Sequence, residues 1–224
     1  MLKPIILDQK AIQKKLERIK KTFINKSIHF SKTGYPYSFF TLTDFEPPIE
    51  PSLVEDMADL LVHYGNFDSI DLLVSEADRG GGPLTHAVSM RTNIPYTLAN
   101  WYPNGGQGEL HVKASVGFSG KGDIFLNGIK KGQRIILVDD LLSSGGTALA
   151  LIRAVHKGGA IIKQALFVAE KVLMCGRQKL ENNYSIPIIS LVKFKAEKGY
   201  TKEFTAPFGL STLSIENESA SYSK

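Results

Sequence analysis

Two adjacent carboxylates, Asp139 and Asp140, come just before a small hydroxyl-rich turn and offer the clearest chemistry in the sequence. Ionised carboxylates only accept hydrogen bonds, so this pair suits the vicinal hydroxyls of a sugar or a hydrated Mg²⁺. The turn supplies donors instead, since its glycines expose backbone N–H groups at a helix start and its hydroxyls add more, an arrangement that favours a phosphate. It consists of Ser143, Ser144, Gly145, Gly146 and Thr147. One loop is therefore predicted to bind a phosphorylated sugar.

The elements that position this loop are indicated by the pattern of apolar residues. Residues 135–138 form a continuous apolar run, which predicts a strand buried on both faces of a sheet, and residues 148–155 predict a helix rich in Ala and Leu. The plainer alternative is a buried strand that ends in a surface turn before a Thr-capped helix. Adjacent acids would then carry an electrostatic cost without a function.

These residues resemble the phosphoribosyl pyrophosphate (PRPP) signature of type I phosphoribosyltransferases, in which an apolar strand leads into two acids and a T/S-G-G-T turn. The resemblance implies that Asp139 and Asp140 hold the ribose hydroxyls and that the turn from Ser143 to Thr147 holds the 5-phosphate. It also implies Mg²⁺ as cofactor, bridging the pyrophosphate and the ribose. Asp139 and Asp140 would then contact the metal indirectly, through PRPP hydroxyls or water.

A second glycine turn follows a predicted strand at residues 70–74 and precedes a predicted helix at residues 84–91. Because ligands bind at the carboxyl ends of parallel strands, this turn and the first can face one site. In the resembled family the corresponding loop binds pyrophosphate, which implies Ala77, Asp78 and Arg79 as its ligands. The guanidinium of Arg79 offers a planar fork of donors to phosphate oxygens. The three glycines that follow Arg79 depart from the family's usual pattern.

Residues 99–122 form a long, glycine-rich connection after a predicted strand at residues 94–98. Long loops are often functional lids, and the resemblance implies one that closes over the reacting centre, with antiparallel arms at residues 112–116 and 123–126. Family members carry a basic cluster right after the preceding strand, where this chain has Asn100, Trp101 and Tyr102. Either Lys113 or Lys121 replaces that charge, or the substrate or the catalysis differs. Glu109 is the candidate general acid or base.

The N-terminal third combines a helix pattern with an aromatic segment. Residues 8–24 predict an amphipathic helix that packs on the domain, with a dimer contact or a membrane surface as alternatives. Residues 37–42 predict a strand, and residues 52–64 a helix with a capping box at Ser52 and Glu55. In the resembled family a hood over the nucleobase stands here, at residues 35–44 of this chain. Core packing of its aromatic rings is an equal alternative.

Composition bounds the class of protein. The chain has 224 residues, a formal net charge of +5 and one cysteine, Cys175, which excludes an internal disulfide framework and suits a reducing compartment. No apolar stretch approaches the roughly 18 residues of a spanning helix, so we expect a cytoplasmic protein without a membrane partner. Basic residues cluster at 10–26 and 193–202. We attribute them to solvated faces, since no motif favours nucleic acid.

Strand and helix patterns alternate along the chain, with further strands predicted at residues 161–168 and 186–192 and a helix at residues 176–181. The predicted fold is α/β, a doubly wound, mainly parallel sheet with a small aromatic N-terminal hood and a flexible active-site loop. We divide the chain into an N-terminal helix at residues 1–30 and a phosphoribosyltransferase domain at residues 31–195. A partly flexible C-terminal extension covers residues 196–224.

The resemblance implies a purine phosphoribosyltransferase that uses PRPP and a nucleobase, adenine first and hypoxanthine or guanine next, and that forms a homodimer. The second hypothesis is a non-catalytic PRPP-sensing regulatory protein of the purine-repressor type. The segment before Tyr35 is too short for the winged-helix DNA-binding domain of such a regulator.

Overall fold

A computed structural model describes residues 7–77, 79–116, 120–197 and 199–205. The helices are α1 (Gln9–Lys21), α2 (Thr41–Asp44), α3 (Pro51–Tyr64), α4 (Gly81–Thr92), α5 (Gly146–Lys157) and α6 (Gly176–Asn183). The strands are β1 (His29–Phe30), β2 (Pro36–Tyr37), β3 (Leu72–Glu76), β4 (Tyr96–Ala99), β5 (Leu110–Val116), β6 (Gly120–Leu126), β7 (Arg134–Leu142), β8 (Ile161–Lys171), β9 (Ile188–Glu197) and β10 (Tyr200–Thr205). None of the helices within these ranges has the length and apolar character needed to cross a bilayer.

The central sheet has six strands within the described ranges, in the order β10-β9-β8-β7-β3-β4. Its five strands from β9 to β4 run parallel, and β10 joins one edge antiparallel to β9. One face packs against α1, α3 and α4, and the other against α5, α6 and the β5–β6 hairpin. The doubly wound, mainly parallel sheet is therefore confirmed.

Strand β7 lies in the middle of the sheet and is buried on both faces. Ile136 and Val138 belong to the core under α3 and α4, whereas Ile135 and Leu137 belong to the core under α5. The strand is longer than its apolar run predicts, because β8 also continues to Lys171 and supplies hydrogen-bond partners beyond Val138. Asp139 and Asp140 consequently lie within the strand rather than after it.

The aromatic segment folds differently from its predicted strand at residues 37–42. β2 ends at Tyr37 after pairing with β1 in a two-stranded ribbon, and α2 begins at Thr41. The Asp44 carboxylate accepts hydrogen bonds from the backbone N–H of Phe40 at 3.0 Å and from the Thr43 hydroxyl at 2.6 Å. These local bonds close a helical turn and compete with strand pairing.

Two helix starts also differ from the sequence prediction. α3 begins at Pro51 with Glu50 before it and no side-chain cap, so the capping box at Ser52 and Glu55 was wrong. Proline at the first helical position has no N–H to satisfy and a φ already suited to the helix. α4 begins at Gly81 rather than Leu84, because its glycines pack against the site described below.

The connection after β4 contains most of an antiparallel hairpin. β5 pairs with β6 from Leu110 opposite Leu126 to Val116 opposite Gly120, so the predicted arms are confirmed and extended. Arg153 and Lys157 of α5 donate hydrogen bonds to the backbone carbonyls of Lys113 and His111, at 3.2 and 3.0 Å. These bonds attach the hairpin to the helix that follows the predicted phosphate turn.

The C-terminal boundary set at residue 195 falls inside β9, and the antiparallel strand β10 was not predicted. Gly199, with φ +85°, turns the chain between the two strands. Thr201 of β10 binds the end of the N-terminal segment, donating to the Phe23 carbonyl and accepting from the Lys26 N–H at 2.9 Å. The rest of the C-terminal extension, residues 206–224, lies outside the described residues.

A buried ion-pair network holds α1 on the domain. Asp56 of α3 is 1% exposed and accepts a hydrogen bond from Lys15 at 2.7 Å, while its other oxygen contacts Arg18. Lys15 also reaches Asp59 at 2.9 Å, and Asp59 binds Arg91 of α4 at 2.8 Å. The network therefore links three helices on one face of the sheet, which agrees with the predicted packing of α1 on the domain.

Asp56→Asn should lower the free energy of unfolding by about 2 kcal/mol, because Lys15 and Arg18 then lose the buried anion that they share, although Lys15 keeps its bond to Asp59. The matched control is Glu55→Gln on the same helix, whose carboxylate is 62% exposed and lies 3.6 Å from Arg91. That control should cost less than about 1 kcal/mol. Urea unfolding of both variants measures the difference, and equal losses would contradict the assignment.

Candidate active site

The paired acids lie at the end of the sheet where the carboxyl ends of β3 and β7 meet. The register that pairs Val74 with Leu137 brings Glu76 level with Asp139. Asp139 and Asp140 are 4% and 8% exposed. A third carboxylate, that of Glu76, thus lies near the pair that the sequence predicted and acts on the charge of Asp139.

The glycines after Arg79 allow α4 to approach these acids. A Cβ on Gly80 would lie 2.5 Å from Asp140 Oδ2, and one on Gly81 would lie 2.7 Å from Asp139 Oδ1. Neither distance is compatible with a side chain. Close packing therefore requires glycine at positions 80 and 81, whereas a Cβ on Gly82 would meet Leu98 at an ordinary distance of 3.5 Å.

Burial and like charge disfavour the ionised forms of the acid pair. The pKa of Asp139 lies well above its usual range because of burial first, then the charges of Asp140 and Glu76. Burial raises the pKa of Asp140 to about 6, even though hydrogen bonds from Asp139 and from the Leu141 backbone act in the opposite direction. Sugar hydroxyls or a nearby cation would relieve this cost.

Few side chains in the site are arranged as ligands for a metal ion. Across the described ranges, no group of three or more His, Cys, Asp or Glu side chains is arranged to hold an ion by itself. The buried pair Asp139 and Asp140, with raised pKa values, fits a cation that arrives with an oxygen-rich ligand and contacts the acids through water or ligand hydroxyls.

The hydroxyl-rich turn is held in place by the start of α6. Gly145, with φ +74°, precedes α5, whose first turn presents unpaired N–H groups to the site. A Cβ on Gly176 would lie 2.1 Å from the Ser143 carbonyl oxygen, so the backbones of the turn and of α6 are in direct contact. Turn and acids together line a cavity of about 110 Å³. All five predicted turn residues, Ser143, Ser144, Gly145, Gly146 and Thr147, line it with Asp139 and Asp140.

A larger cleft of about 720 Å³ continues from this cavity and shares Asp140 and Thr147 with it. Arg79 lines the cleft with its guanidinium paired to Asp44 of α2, and Lys121 of β6 and Trp101 line it as well. The structure therefore brings together the acids, the turn, Arg79 and Lys121.

Three other predicted site residues, Ala77, Glu109 and Lys113, are not among the described residues that line this cleft. Lys113 is exposed on β5, and Ala77 uses its N–H to bond the Ala99 carbonyl at 2.7 Å. Glu109 accepts hydrogen bonds from the Asn104 N–H and the Asn127 amide, both at 2.9 Å, and these lower its pKa. Asp78 lies outside the described residues.

A second, mainly apolar cavity of about 410 Å³ lies under the hood ribbon β1–β2 and shares Tyr37, Ser38 and Lys171 with the cleft. Its walls come from the hood, the end of β8 and the β9–β10 pair, and include Phe30, Met174 and Phe194. Burial lowers the pKa of Lys171 to about 8, although the charge of Asp44 acts to raise it. The Lys171 ammonium lies 5.7 Å from the Tyr35 ring centroid and 5.9 Å from that of Phe40.

Glu76, Trp101 and Lys171 line the site but were absent from the predicted site residues, and Tyr35 was placed only in the predicted hood at residues 35–44. Glu76 and Lys171 carried a usable signal, since each is a charged residue at the carboxyl end of a predicted parallel strand, where ligands bind. Tyr35 and Trp101 gave no such signal, because their positions depend on how the hood and the β5–β6 hairpin fold over the sheet.

Comparison with protein families and curated sequences gives consistent results. A model of the phosphoribosyl transferase domain matches residues 72–190. A hypoxanthine/guanine phosphoribosyltransferase of Methanocaldococcus sp. (strain FS406-22) is 36% identical over 175 residues, which are 78% of this chain and 87% of that protein. The protein of the same name from Methanocaldococcus jannaschii is 35% identical over 78% of this chain and 93% of its own length.

Solved structures show the same fold. The adenine phosphoribosyltransferase of Thermoanaerobacter pseudethanolicus superposes with a TM-score of 0.66 at 23% identity, covering 80% of this chain and 99% of that one. An adenine phosphoribosyltransferase of Trypanosoma brucei, solved with AMP, pyrophosphate and ribose-5-phosphate, gives a TM-score of 0.62 at 21% identity over 80% of this chain and 79% of that one.

The raised pKa of Asp140 predicts how stability depends on pH without ligand. Between the unfolded value near 3.8 and the folded value of about 6, the folded state binds more protons, so stability falls as the pH rises through this window. Asp140→Asn should therefore unfold with a free energy roughly 2–3 kcal/mol above wild type at pH 7, a gain that shrinks towards pH 4.

Urea unfolding at several pH values measures this gain. Asp68→Asn, an exposed acid at the other end of the sheet, is the control and should leave the pH profile unchanged. An Asp140→Asn variant that is less stable than wild type at pH 7 would refute the electrostatic account.

Proposed function

The chain belongs to the phosphoribosyltransferase family, and from this membership we propose that it transfers the ribosyl phosphate of PRPP to a purine base and releases pyrophosphate. One observation carries the proposal. The cavity lined by the acid pair and the turn opens into a cleft that shares three residues with an apolar cavity large enough to hold a purine. Sugar phosphate and base would thus meet at the carboxyl edge of the sheet.

In this proposal, the turn binds the 5-phosphate through N–H groups at the start of α5 and through the hydroxyls of Ser143, Ser144 and Thr147. Asp139 and Asp140 accept hydrogen bonds from the ribose hydroxyls. The two contacts fix the sugar so that its C1 faces the base, which is a contribution from positioning. The negative charge of the acids also favours the positive charge that develops on the sugar ring as pyrophosphate leaves.

Mg²⁺ fits this site as the cation that neutralises the diphosphate when PRPP binds. Asp139 and Asp140 would support it through ribose hydroxyls or water. Arg79 and Lys121 are the described cations that line the cleft beside Asp140, together with Lys171. We therefore assign the diphosphate contacts of the protein to Arg79 and Lys121. Lys113, the other candidate from the sequence, accepts a hydrogen bond from Arg153 at its backbone carbonyl, and its side chain is exposed on β5.

The base is assigned to the apolar cavity under the hood, where aromatic walls suit a flat heterocycle. With a pKa of about 8, Lys171 is mainly protonated at pH 7 and can only donate hydrogen bonds. The 6-oxo group of hypoxanthine or guanine accepts at the position where adenine presents an amino donor. Lys171 therefore favours hypoxanthine and guanine, and the curated relatives carry those bases in their names.

This assignment reverses the order of bases expected from the sequence, where adenine stood first. The comparisons give no support to the alternative of a PRPP-sensing regulator. The homodimer and the cytoplasmic location stay predictions of the resemblance.

The function is tested by incubating the protein with PRPP, Mg²⁺ and hypoxanthine, guanine or adenine and measuring pyrophosphate release. Asp139→Asn and Asp140→Asn should each lower kcat/KM for PRPP by about ten- to a hundredfold, since each removes a charged acceptor worth roughly 1.5–3 kcal/mol. Asp71→Asn, which lies before β3 at the opposite sheet edge, is the matched control and should keep wild-type kinetics. Unchanged kinetics in both acid variants would reject the site.

Lys171→Met should raise KM for hypoxanthine at least about tenfold while KM for PRPP changes little, because the variant loses a charged donor to the base only. Wild-type kcat/KM for hypoxanthine should also decline as the pH rises through about 8, where Lys171 loses its proton. The decline should be absent in Lys171→Met. Adenine as the preferred base of the wild-type protein would overturn the assignment of Lys171.

A further inference from the structure

Tyr35 connects the two halves of the proposed site. Its hydroxyl is hydrogen-bonded to Ser143 Oγ in the phosphate turn, and its ring lies under the Lys171 ammonium at 5.7 Å. The same side chain lines both the turn cavity and the larger cleft. Among the described residues of the hood, Tyr35 alone lines the cavity formed by the turn and the acids. Tyr35 therefore connects this cavity to the hood.

The backbone at Tyr35 is well fixed. Its N–H donates to Ser31 Oγ at 3.1 Å, and its carbonyl accepts from the Ser31 N–H at 2.9 Å. These bonds close the turn between β1 and β2 just before the strand residues that roof the apolar cavity. A shift in the position of the Tyr35 hydroxyl would therefore also shift the β1–β2 ribbon of the hood.

A bound phosphate determines which hydroxyl donates in the hydrogen bond between Tyr35 and Ser143. A serine hydroxyl has one proton to donate and two lone pairs, and a phosphate oxygen accepts. When Ser143 donates to the phosphate, its oxygen remains free to accept the proton of Tyr35. Donation by Ser143 to Tyr35 would instead withhold the proton from the phosphate.

Hydrogen bonds in such a chain polarise and strengthen one another. A phosphate bound to Ser143 thus strengthens the hydrogen bond between Tyr35 and Ser143, which connects the hood to the phosphate turn. Conversely, the Tyr35 bond orients the Ser143 proton towards the phosphate. These hydrogen bonds begin at the sugar-phosphate site and end at Tyr35. The ring of Tyr35 contacts Lys171, which lines the cavity assigned to the base.

We propose that Tyr35 is a positioning residue that couples occupancy of the 5-phosphate turn to binding of the base under the hood. The proposal rests on the proposed function for the identity of the two ligands. The tyrosine acts through Ser143 and Lys171, and its hydroxyl is the group that carries the coupling.

The coupling is measured by calorimetry with hypoxanthine, in the absence and presence of saturating ribose 5-phosphate and Mg²⁺, so that no turnover is needed. In the wild-type protein, ribose 5-phosphate should raise the affinity for hypoxanthine by about tenfold, within the usual range of coupling between sites. In Tyr35→Phe, which keeps the ring but loses the hydroxyl, the increase should fall below about threefold. Affinity for hypoxanthine alone should stay unchanged.

Ser143→Ala tests the other partner and should reduce the coupling to the same extent. The double variant should lose no more than either single variant, because both changes remove one shared bond. Tyr96→Phe is the matched control, since this tyrosine of β4 also has a bonded hydroxyl, to His86 at 3.3 Å, and should keep the wild-type coupling. Steady-state kinetics of Tyr35→Phe should show a raised KM for PRPP with kcat nearly unchanged.

The proposal is overturned if Tyr35→Phe keeps the full coupling, if the two single variants have additive effects, or if the wild-type protein shows no coupling. The failure of the proposed function is a separate observation, namely no pyrophosphate release by the wild-type protein with any purine. Thermal unfolding of each variant confirms that the fold is retained. Ser143→Ala keeps the test decisive if Tyr35→Phe is unstable.

Discussion

The rest of the site depends on one electrostatic constraint, the burial of two adjacent carboxylates at the carboxyl edge of a parallel sheet. Two like charges in a buried position disfavour ionisation, and the third carboxylate at Glu76 adds to this effect. The folded protein therefore has an unfavourable electrostatic energy at this site. A ligand rich in hydroxyls and accompanied by a cation would reduce it. Such an arrangement is stable only because the surrounding sheet is buried on both faces and cannot rearrange around the acids.

A second requirement is that the backbone approach the acids and the turn closely from two sides. Gly80 and Gly81 let α4 lie against Asp139 and Asp140, and Gly176 lets α6 lie against the Ser143 carbonyl. The position of α6 is fixed by Arg177, whose Nε and Nη2 donate to Oε1 and Oε2 of the buried Glu170 and which also reaches Ser190. A paired, well-bonded charge of this type orients the phosphate turn without adding an uncompensated charge near it.

The sequence predicts most of this architecture, because local patterns and the sheet topology agree. Apolar runs locate the parallel strands, and the rule that ligands bind at their carboxyl ends brings Asp139, the turn and Arg79 together. The predictions fail where tertiary contacts decide. The hood forms a short helix because Asp44 closes a turn on Phe40, and α4 starts early because its glycines must pass the acids. The importance of Tyr35 depends on a contact across 108 residues of chain, which no local pattern contains.

The departure from the resembled family after β4 is best understood from the contacts of Trp101. Where the family has basic residues, the indole of Trp101 lines the cleft and packs against Gly122, at which a Cβ would lie 3.0 Å from the ring. An aromatic side chain supports the β5–β6 hairpin there but offers no charge to a diphosphate. We propose that the hairpin supplies the cation instead, since Lys121, next to Gly122, lines the same cleft. On this proposal, the charge comes from the hairpin that covers the end of the sheet, and binding of the diphosphate would depend on the position of the hairpin.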